Sequence, residues 1–171
     1  QEANAIAELD LESKKFTSVR PLGFKNHSIA GNEIDLSDDG KAEMKKQNVY
    51  GVYMPDGIDA FEASGETYLI TANEGDAREW GDYSGVKKTK IDGTKVETLD
   101  NEKWDGIDAE KTYILGGRSF AVFNASDMSQ VYESGATIES EIAKSEFKDY
   151  FNCGNDDVKL DSRSKKKGPE P

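Results

Sequence analysis

The sequence predicts a mainly β fold with one or two helices, built from about three hairpin units and polar loop excursions. Three segments repeat a short apolar strand, a turn that carries serine with an acidic residue or glycine, and a second strand. They are Ala7–Thr17, Asp59–Leu69 and Ala121–Val131. In the first, alanine and leucine alternate with polar residues, the period of two expected of a half-buried strand.

Repeated hairpins of this kind are typical of β-propeller blades, four-stranded sheets that pack around an axis. A propeller needs roughly four to eight blades, whereas this chain of 171 residues offers hairpins for about three. Residues 1–171 are therefore predicted to form a single region, part of a β-propeller and an internal fragment of a longer chain.

Two further elements are predicted between and after the hairpins. A small strand is expected at Lys95–Leu99, inside a polar stretch rich in lysine and aspartate. Thr137–Phe151 is predicted to be a helix, because its apolar residues recur near one face at helical spacing. Thr137 is the expected N-cap, and Glu139 and Glu141 fall in the first turn, where the helix dipole favours negative charge.

Composition restricts the class of protein. The net charge is −12, from 34 acidic and 22 basic residues, and this argues against a nucleic-acid partner, which needs a basic surface. No apolar run approaches the roughly 20 residues that span a bilayer, so no membrane span is expected. The single cysteine, Cys153, excludes an intrachain disulfide. An acidic chain of this kind suits an extracellular or cell-surface protein that attracts cations.

Carboxylates follow the predicted strand that contains Tyr68–Ile70, in the loop with Glu74 and Asp76. Clustered carboxylate oxygens at the end of a strand are typical ligands of Ca²⁺, so calcium is the expected cofactor if there is one. Arg78 in the same loop is a candidate contact for an anion. The alternative is a solvated acidic loop in which Arg78 pairs with a neighbouring carboxylate.

A second oxygen-rich stretch lies near the end of the chain. Asp156, Asp157 and Asp161 are candidate metal ligands there, and Arg163 could hold a carboxylate or phosphate through two hydrogen bonds. The alternative is a loop of Asn and Asp side chains that cap their own backbone.

The sequence offers few groups for covalent or acid–base catalysis. His27 is the only histidine, which cannot assemble the multi-histidine site of a typical zinc or binuclear phosphatase. A structural role for His27 is favoured over a role as a ligand or general base. No nucleophile elbow, phosphate-binding loop or dinucleotide fingerprint occurs, and Ser119 is expected at the start of a strand.

Four motifs spread over most of the chain carry a family resemblance: PDGIDAFE from Pro55, YLITANEGDAREWGDY from Tyr68, GGRSFAVF from Gly116 and DSRSKKKGPEP from Asp161. Together they resemble the choice-of-anchor I family, also labelled mesenchyme-specific cell surface glycoprotein-like or alkaline phosphatase-like. The resemblance implies a multi-bladed β-propeller at the cell surface. In the last motif, residues 165–167 are lysines where acidic or polar residues are more usual in the family.

Two functions are compatible with these features. The first is a non-catalytic extracellular or cell-surface propeller segment with a structural or recognition role, stiffened by calcium. Its partners would be the remainder of the same polypeptide and a surface ligand that the sequence does not identify. The alternative is a metal-dependent phosphomonoesterase, in which the carboxylates named above hold cations that bind phosphate and activate water. Catalytic residues for that reaction are not identified by the sequence.

Overall fold

The computed structural model describes residues 3–37, 41–76, 79–148 and 151. Within these residues the chain forms thirteen strands, one α-helix and one 3-10 helix at Asn101–Lys103. The prediction of a mainly β fold is thereby confirmed. In chain order the elements are β1 (Ala5–Asp10), β2 (Lys15–Pro21), β3 (Phe24–Asn26), β4 (Tyr50–Val52), β5 (Ile58–Ala63), β6 (Glu66–Asn73), β7 (Glu79–Trp80), β8 (Tyr83–Ser84), β9 (Val86–Ile91), β10 (Thr94–Leu99), β11 (Tyr113–Leu115), β12 (Ser119–Asn124), β13 (Gln130–Glu133) and α1 (Thr137–Lys144).

The strands form two larger sheets and two small ribbons, and none of them closes on itself. The five-stranded sheet has the order β3-β4-β11-β10-β9, and its β4–β11 pair is parallel. The four-stranded sheet has the order β13-β12-β6-β5 and is antiparallel throughout. The ribbons are β1–β2 and β7–β8.

All three predicted hairpins are present, as β1–β2, β5–β6 and β12–β13. The last two join through β6 and β12 to make the four-stranded sheet. Ser64 and Gly65 close β5–β6 with φ angles of 53° and 82°, and Asp92 and Gly93 close β9–β10 with 46° and 87°. Two successive positive φ angles are the mark of the type I′ turn, whose twist matches that of paired strands.

The main core lies on the two faces of the five-stranded sheet. One cluster of buried side chains packs on one face, formed by Val52, Met54, Leu99, Tyr113 and Leu115. A second cluster consists of Ile34, Leu36, Val49, Val96 and Ile114. Strand β11 contributes alternate residues to both clusters and is buried along its whole length. It is an apolar strand without the polar alternation of a one-sided sheet, as expected for a strand covered on both faces.

The helix differs from its predicted length. It begins at Thr137 as expected but ends at Lys144, and Ala136 rather than Thr137 occupies the N-cap position. The end is set by Ser145, whose backbone is extended and whose hydroxyl donates to the Ile142 carbonyl oxygen at 3.0 Å. The same hydroxyl accepts a hydrogen bond from the backbone N–H of Phe147. Serine offers the backbone this local alternative to further helical bonds.

Two surfaces of the described part of the chain each carry a group of exposed apolar side chains. On the outer face of the four-stranded sheet, Phe61 stacks on Tyr68 with ring centroids 5.5 Å apart, and Phe120 lies 5.6 Å from Tyr132. Phe61 and Tyr132 are exposed. The β1–β2 ribbon exposes four more apolar side chains, Leu9, Leu11, Phe16 and Val19. The first predicted strand is thus correctly located, but its apolar residues are not covered by the described part of the chain.

Candidate functional site

Two of the predicted metal ligands, Glu74 and Asp76, lie where expected in the loop that follows β6. Glu74 is half-buried, Asp76 is exposed, and Gly75 between them is buried. The backbone N–H of Gly75 donates to the Met54 carbonyl oxygen at 3.3 Å. The loop is therefore fixed against the edge of the core at its centre, with a carboxylate on either side.

The remaining predicted site residues fall outside the described residues. These are Arg78, Asp156, Asp157, Asp161 and Arg163. Within residues 3–37, 41–76, 79–148 and 151, no group of three or more His, Cys, Asp or Glu side chains lies close enough to hold a metal ion. The calcium site thus stays a prediction, and Glu74 and Asp76 are the two of its predicted residues that lie in the described part of the chain.

A cluster of buried charges lies where the two large sheets and the helix meet, and we call it the junction cluster. It consists of Lys25 from β3, Arg118 just before β12, Glu133 at the end of β13 and Glu139 in α1. Lys25, Arg118 and Glu139 are each no more than 4% exposed. Charged side chains are almost never buried this fully unless they are paired.

Lys25 ties β3 to the connections on either side of the hairpin β12–β13. Its ammonium group donates to the carbonyl oxygens of Gly117 at 2.8 Å and Gly135 at 2.7 Å, and lies 3.4 Å from a carboxylate oxygen of Glu133. Burial lowers the pKa of Lys25 below its ordinary value, and the charges of Glu133 and Glu139 oppose that shift. Two of the three ammonium donors thus have carbonyl acceptors inside the protein, and the contact with Glu133 is an ion pair.

Arg118 forms the other half of the junction cluster. Its Nη1 atom donates to a carboxylate oxygen of Glu139 at 3.0 Å and to the Asp35 carbonyl oxygen at 3.0 Å. Burial raises the pKa of the Glu139 carboxyl, and the adjacent Arg118 guanidinium opposes the rise. Arg118 adopts φ of +48°, an uncommon conformation for a residue other than glycine. Arg118 thus combines a left-handed backbone conformation with a side chain that reaches Glu139 in α1.

His27 is fully buried beside the junction cluster, as the structural interpretation of this residue predicts. Its Nδ1 lies 2.7 Å from the Asn32 carbonyl oxygen, so Nδ1 carries the proton and donates it. Its Nε2 atom faces Gly51, where an added Cβ would lie 2.9 Å from it. Burial, then the positive charge of Lys25, lowers the pKa of His27 to about 3.

The low pKa of His27 predicts a loss of stability in mild acid. Between pH 7 and pH 5 the unfolded chain binds a proton at this histidine and the folded chain does not, so stability falls as pH falls. The expected contribution is about 2 kcal/mol over that interval. We expect His27→Asn, which keeps a donor for the Asn32 carbonyl oxygen, to flatten the pH dependence of urea unfolding by that amount. An unchanged pH dependence in the variant would contradict a neutral His27.

Polar side chains also join β6 to β12 inside the four-stranded sheet. Thr71 donates to the amide oxygen of Asn73 at 2.9 Å, and the amide nitrogen of Asn73 donates to the Ser119 hydroxyl at 3.2 Å. All three residues are fully buried. Ser119 begins β12, as expected, and its hydroxyl is an internal hydrogen-bond acceptor with no access to solvent.

The junction cluster is not singled out by any sequence pattern. Arg118 lies within the GGRSFAVF motif and Lys25 within a short strand, but neither has a charged partner at nearby spacing. Glu139 lies in the first turn of α1 as expected, and it is also the buried residue of that helix, which its position in the sequence does not indicate. The one hint in the sequence is that Arg118 follows two glycines and directly precedes a strand of apolar residues. An unpaired charge would be costly at such a position.

Comparison with known proteins supports the family resemblance that the four sequence motifs carry. The model of the choice-of-anchor I domain matches residues 1–94 and 84–171, which together span the chain. No significant match exists among curated proteins or solved structures. Membership of this family indicates a domain associated with the cell surface, which supports the expected extracellular or surface location in coarse terms. Among the described residues, no helix has the length and apolar character needed to cross a membrane. The chain belongs to the choice-of-anchor I domain family.

Proposed function

We propose that the chain is a non-catalytic structural or recognition module at the cell surface. The observation that carries this proposal is the junction cluster, in which buried charges from three parts of the fold pair with one another and with backbone carbonyl oxygens. Catalytic groups need access to substrate. Lys25, His27, Arg118 and Glu139 are instead buried, and they join sheets and helix.

We further propose that the module is part of a β-propeller completed by the remainder of the polypeptide. The exposed aromatic face of the four-stranded sheet and the apolar side chains of the β1–β2 ribbon support this arrangement. Propeller blades pack face to face around their axis, so each inner blade has both faces covered. Exposed apolar surface of this kind is typical of a contact region.

The proposal is tested by assaying the purified chain for hydrolysis of p-nitrophenyl phosphate in millimolar calcium or magnesium. We expect no turnover above buffer. Turnover that is abolished by Glu74→Gln together with Asp76→Asn would overturn the non-catalytic proposal and establish the phosphomonoesterase alternative. The control variant is Glu12→Gln, which removes an exposed carboxylate in the turn of the first hairpin. This variant should leave the rate of hydrolysis unchanged.

Calcium binding is proposed as the second part of this function, with Glu74 and Asp76 as two of the ligands. The support is their position on a loop whose central backbone is fixed to Met54. Free calcium at roughly ten times its Kd stabilises the folded state by about 1.4 kcal/mol. For a chain of this size that is a rise in Tm of about 3–6 °C.

We expect this rise when calcium replaces EDTA, and its loss in the Glu74→Gln and Asp76→Asn double variant. An identical Tm in EDTA and calcium for the unmodified chain would contradict the calcium proposal. It would leave the non-catalytic role in place.

A further inference from the structure

A second feature of the fold lies away from the junction cluster, at the end of the five-stranded sheet. It is a cavity of about 620 Å³, which we call the Trp104 pocket. Its floor includes Val52 and Leu99 of the core, and its walls include Phe24, Trp104 and Ile107. Small-molecule sites are typically cavities of roughly 300–1,000 Å³ with mostly apolar walls and a few polar groups.

The tryptophan is held firmly in the wall of this pocket. Its Nε1–H donates to the Gly85 carbonyl oxygen at 2.8 Å, and Gly85 lies close enough that an added Cβ would be 3.0 Å from Nε1. The polar group of the indole is therefore used inside the protein. Trp104 lines the cavity as a fixed aromatic surface, and Phe24 is held in turn against Tyr113 with ring centroids 4.8 Å apart.

The only charged side chain that lines the pocket, among the described residues, is Asp105. Within the described part of the chain this exposed carboxylate makes no ion pair or hydrogen bond. The neighbouring cation Lys103 is directed elsewhere, to the Ser84 carbonyl oxygen at 2.7 Å and to Asp100 at 3.4 Å. The pocket thus combines aromatic walls with one unneutralised negative charge, in a chain of net charge −12.

We infer that the Trp104 pocket binds an organic ammonium ligand, with its apolar body on Phe24 and Trp104 and its cationic group beside Asp105. Aromatic faces and a carboxylate both attract such a cation. An anion finds no positive side chain among the described residues that line the pocket. A sugar would find few groups for its hydroxyls, because the amide of Asn4 already bonds Gly23 and Met54, and unmet polar groups are costly.

The inference deepens the proposed recognition role and rests on it. The test uses Trp80→Phe, which leaves Trp104 as the single tryptophan, because the chain has two. Its fluorescence is followed during titration with 2-phenylethylammonium and, separately, with the neutral analogue 2-phenylethanol. We expect the ammonium compound to bind about 5- to 30-fold more tightly, the range that corresponds to about 1–2 kcal/mol from the attraction of its cationic group to Asp105 and to the adjacent aromatic ring.

Two variants assign the preference to the pocket. Asp105→Asn should reduce the ratio of the two affinities several-fold, whereas Glu62→Gln, an exposed carboxylate on the other large sheet, should leave it unchanged. Equal affinities for the two compounds, or a ratio insensitive to Asp105→Asn, would overturn the inference. So would the absence of binding by both fluorescence and titration calorimetry at millimolar concentration. A negative titration does not alter the hydrolysis assay, so the ligand and the non-catalytic role can fail separately.

Discussion

Glu139→Gln is expected to destabilise the folded chain by roughly 3–5 kcal/mol, the usual cost of removing one partner from a buried ion pair. The substitution keeps the size of the side chain but leaves the Arg118 guanidinium buried without its countercharge, since the two side chains are only 4% and 2% exposed. The pair also joins the helix to the connection that precedes β12. Urea unfolding at pH 7, followed by circular dichroism, measures the loss.

The same helix supplies the matched control for this prediction. Glu141 pairs with Lys144 at 3.3 Å, but both side chains are about 70% exposed, and exposed pairs contribute roughly 0–1 kcal/mol. Glu141→Gln should therefore change stability by less than about 1 kcal/mol. A similarly small loss for Glu139→Gln would mean that the Glu139 carboxyl is already protonated in the folded state, and would contradict the ion pair.

The junction cluster also has a consequence for how the fold can be altered. Replacing a whole buried pair by apolar residues is often neutral, whereas removing one partner is not. The double variant Arg118→Met with Glu139→Leu should therefore lose less folding stability than either single variant. Part of the loss that remains in the double variant comes from the hydrogen bond that Arg118 donates to the Asp35 carbonyl oxygen. Such non-additivity is the expected behaviour of residues in direct contact.

The parts of the fold that sequence predicts well are those governed by local chemistry. The hairpins follow from apolar alternation and turn residues that are adjacent in the chain. The predicted strand that contains Tyr68–Ile70 is also confirmed, and it ends at Asn73, just before the acidic loop. The strand at Lys95–Leu99 is confirmed within β10, yet its partner β9 was missed. Lysines at three of its six positions obscure the alternation in β9, although the Asp92–Gly93 turn signals a hairpin.

The parts that sequence does not predict depend on contacts between distant segments. Lys25 bonds the Gly135 carbonyl oxygen, 110 residues away in the chain, and no local spacing indicates such a pairing. The parallel pairing of β4 with β11 is of the same kind. For the candidate site, the loop of Glu74 and Asp76 was located from its strand, whereas the junction cluster and the Trp104 pocket arise only when separate strands assemble.

Gly116→Ala is expected to cost about 2–5 kcal/mol, because two penalties act at this position. Gly116 has φ of +78°, where an L side chain costs roughly 1–2 kcal/mol. An added Cβ would also overlap the Glu74 carbonyl oxygen and lie 2.9 Å from its carbon, and overpacking typically adds about 1–3 kcal/mol. The backbone has little freedom to yield, since the next N–H, of Gly117, donates to the Asn73 carbonyl oxygen at 3.1 Å.

Gly65→Ala separates the two penalties in this prediction. Gly65 has nearly the same φ, +82°, but an added Cβ meets nothing within 4 Å, so only the conformational cost of roughly 1–2 kcal/mol applies. In urea unfolding, the free energy of unfolding of Gly116→Ala should be lower than that of Gly65→Ala by at least about 1 kcal/mol. Equal losses of stability would show that the Glu74 backbone moves aside freely. Because Glu74 belongs to the acidic loop, the measurement also reports how rigidly the fold holds that carboxylate. A rigid loop keeps its oxygens in place for a cation, whereas a loop that yields must be ordered at the expense of binding.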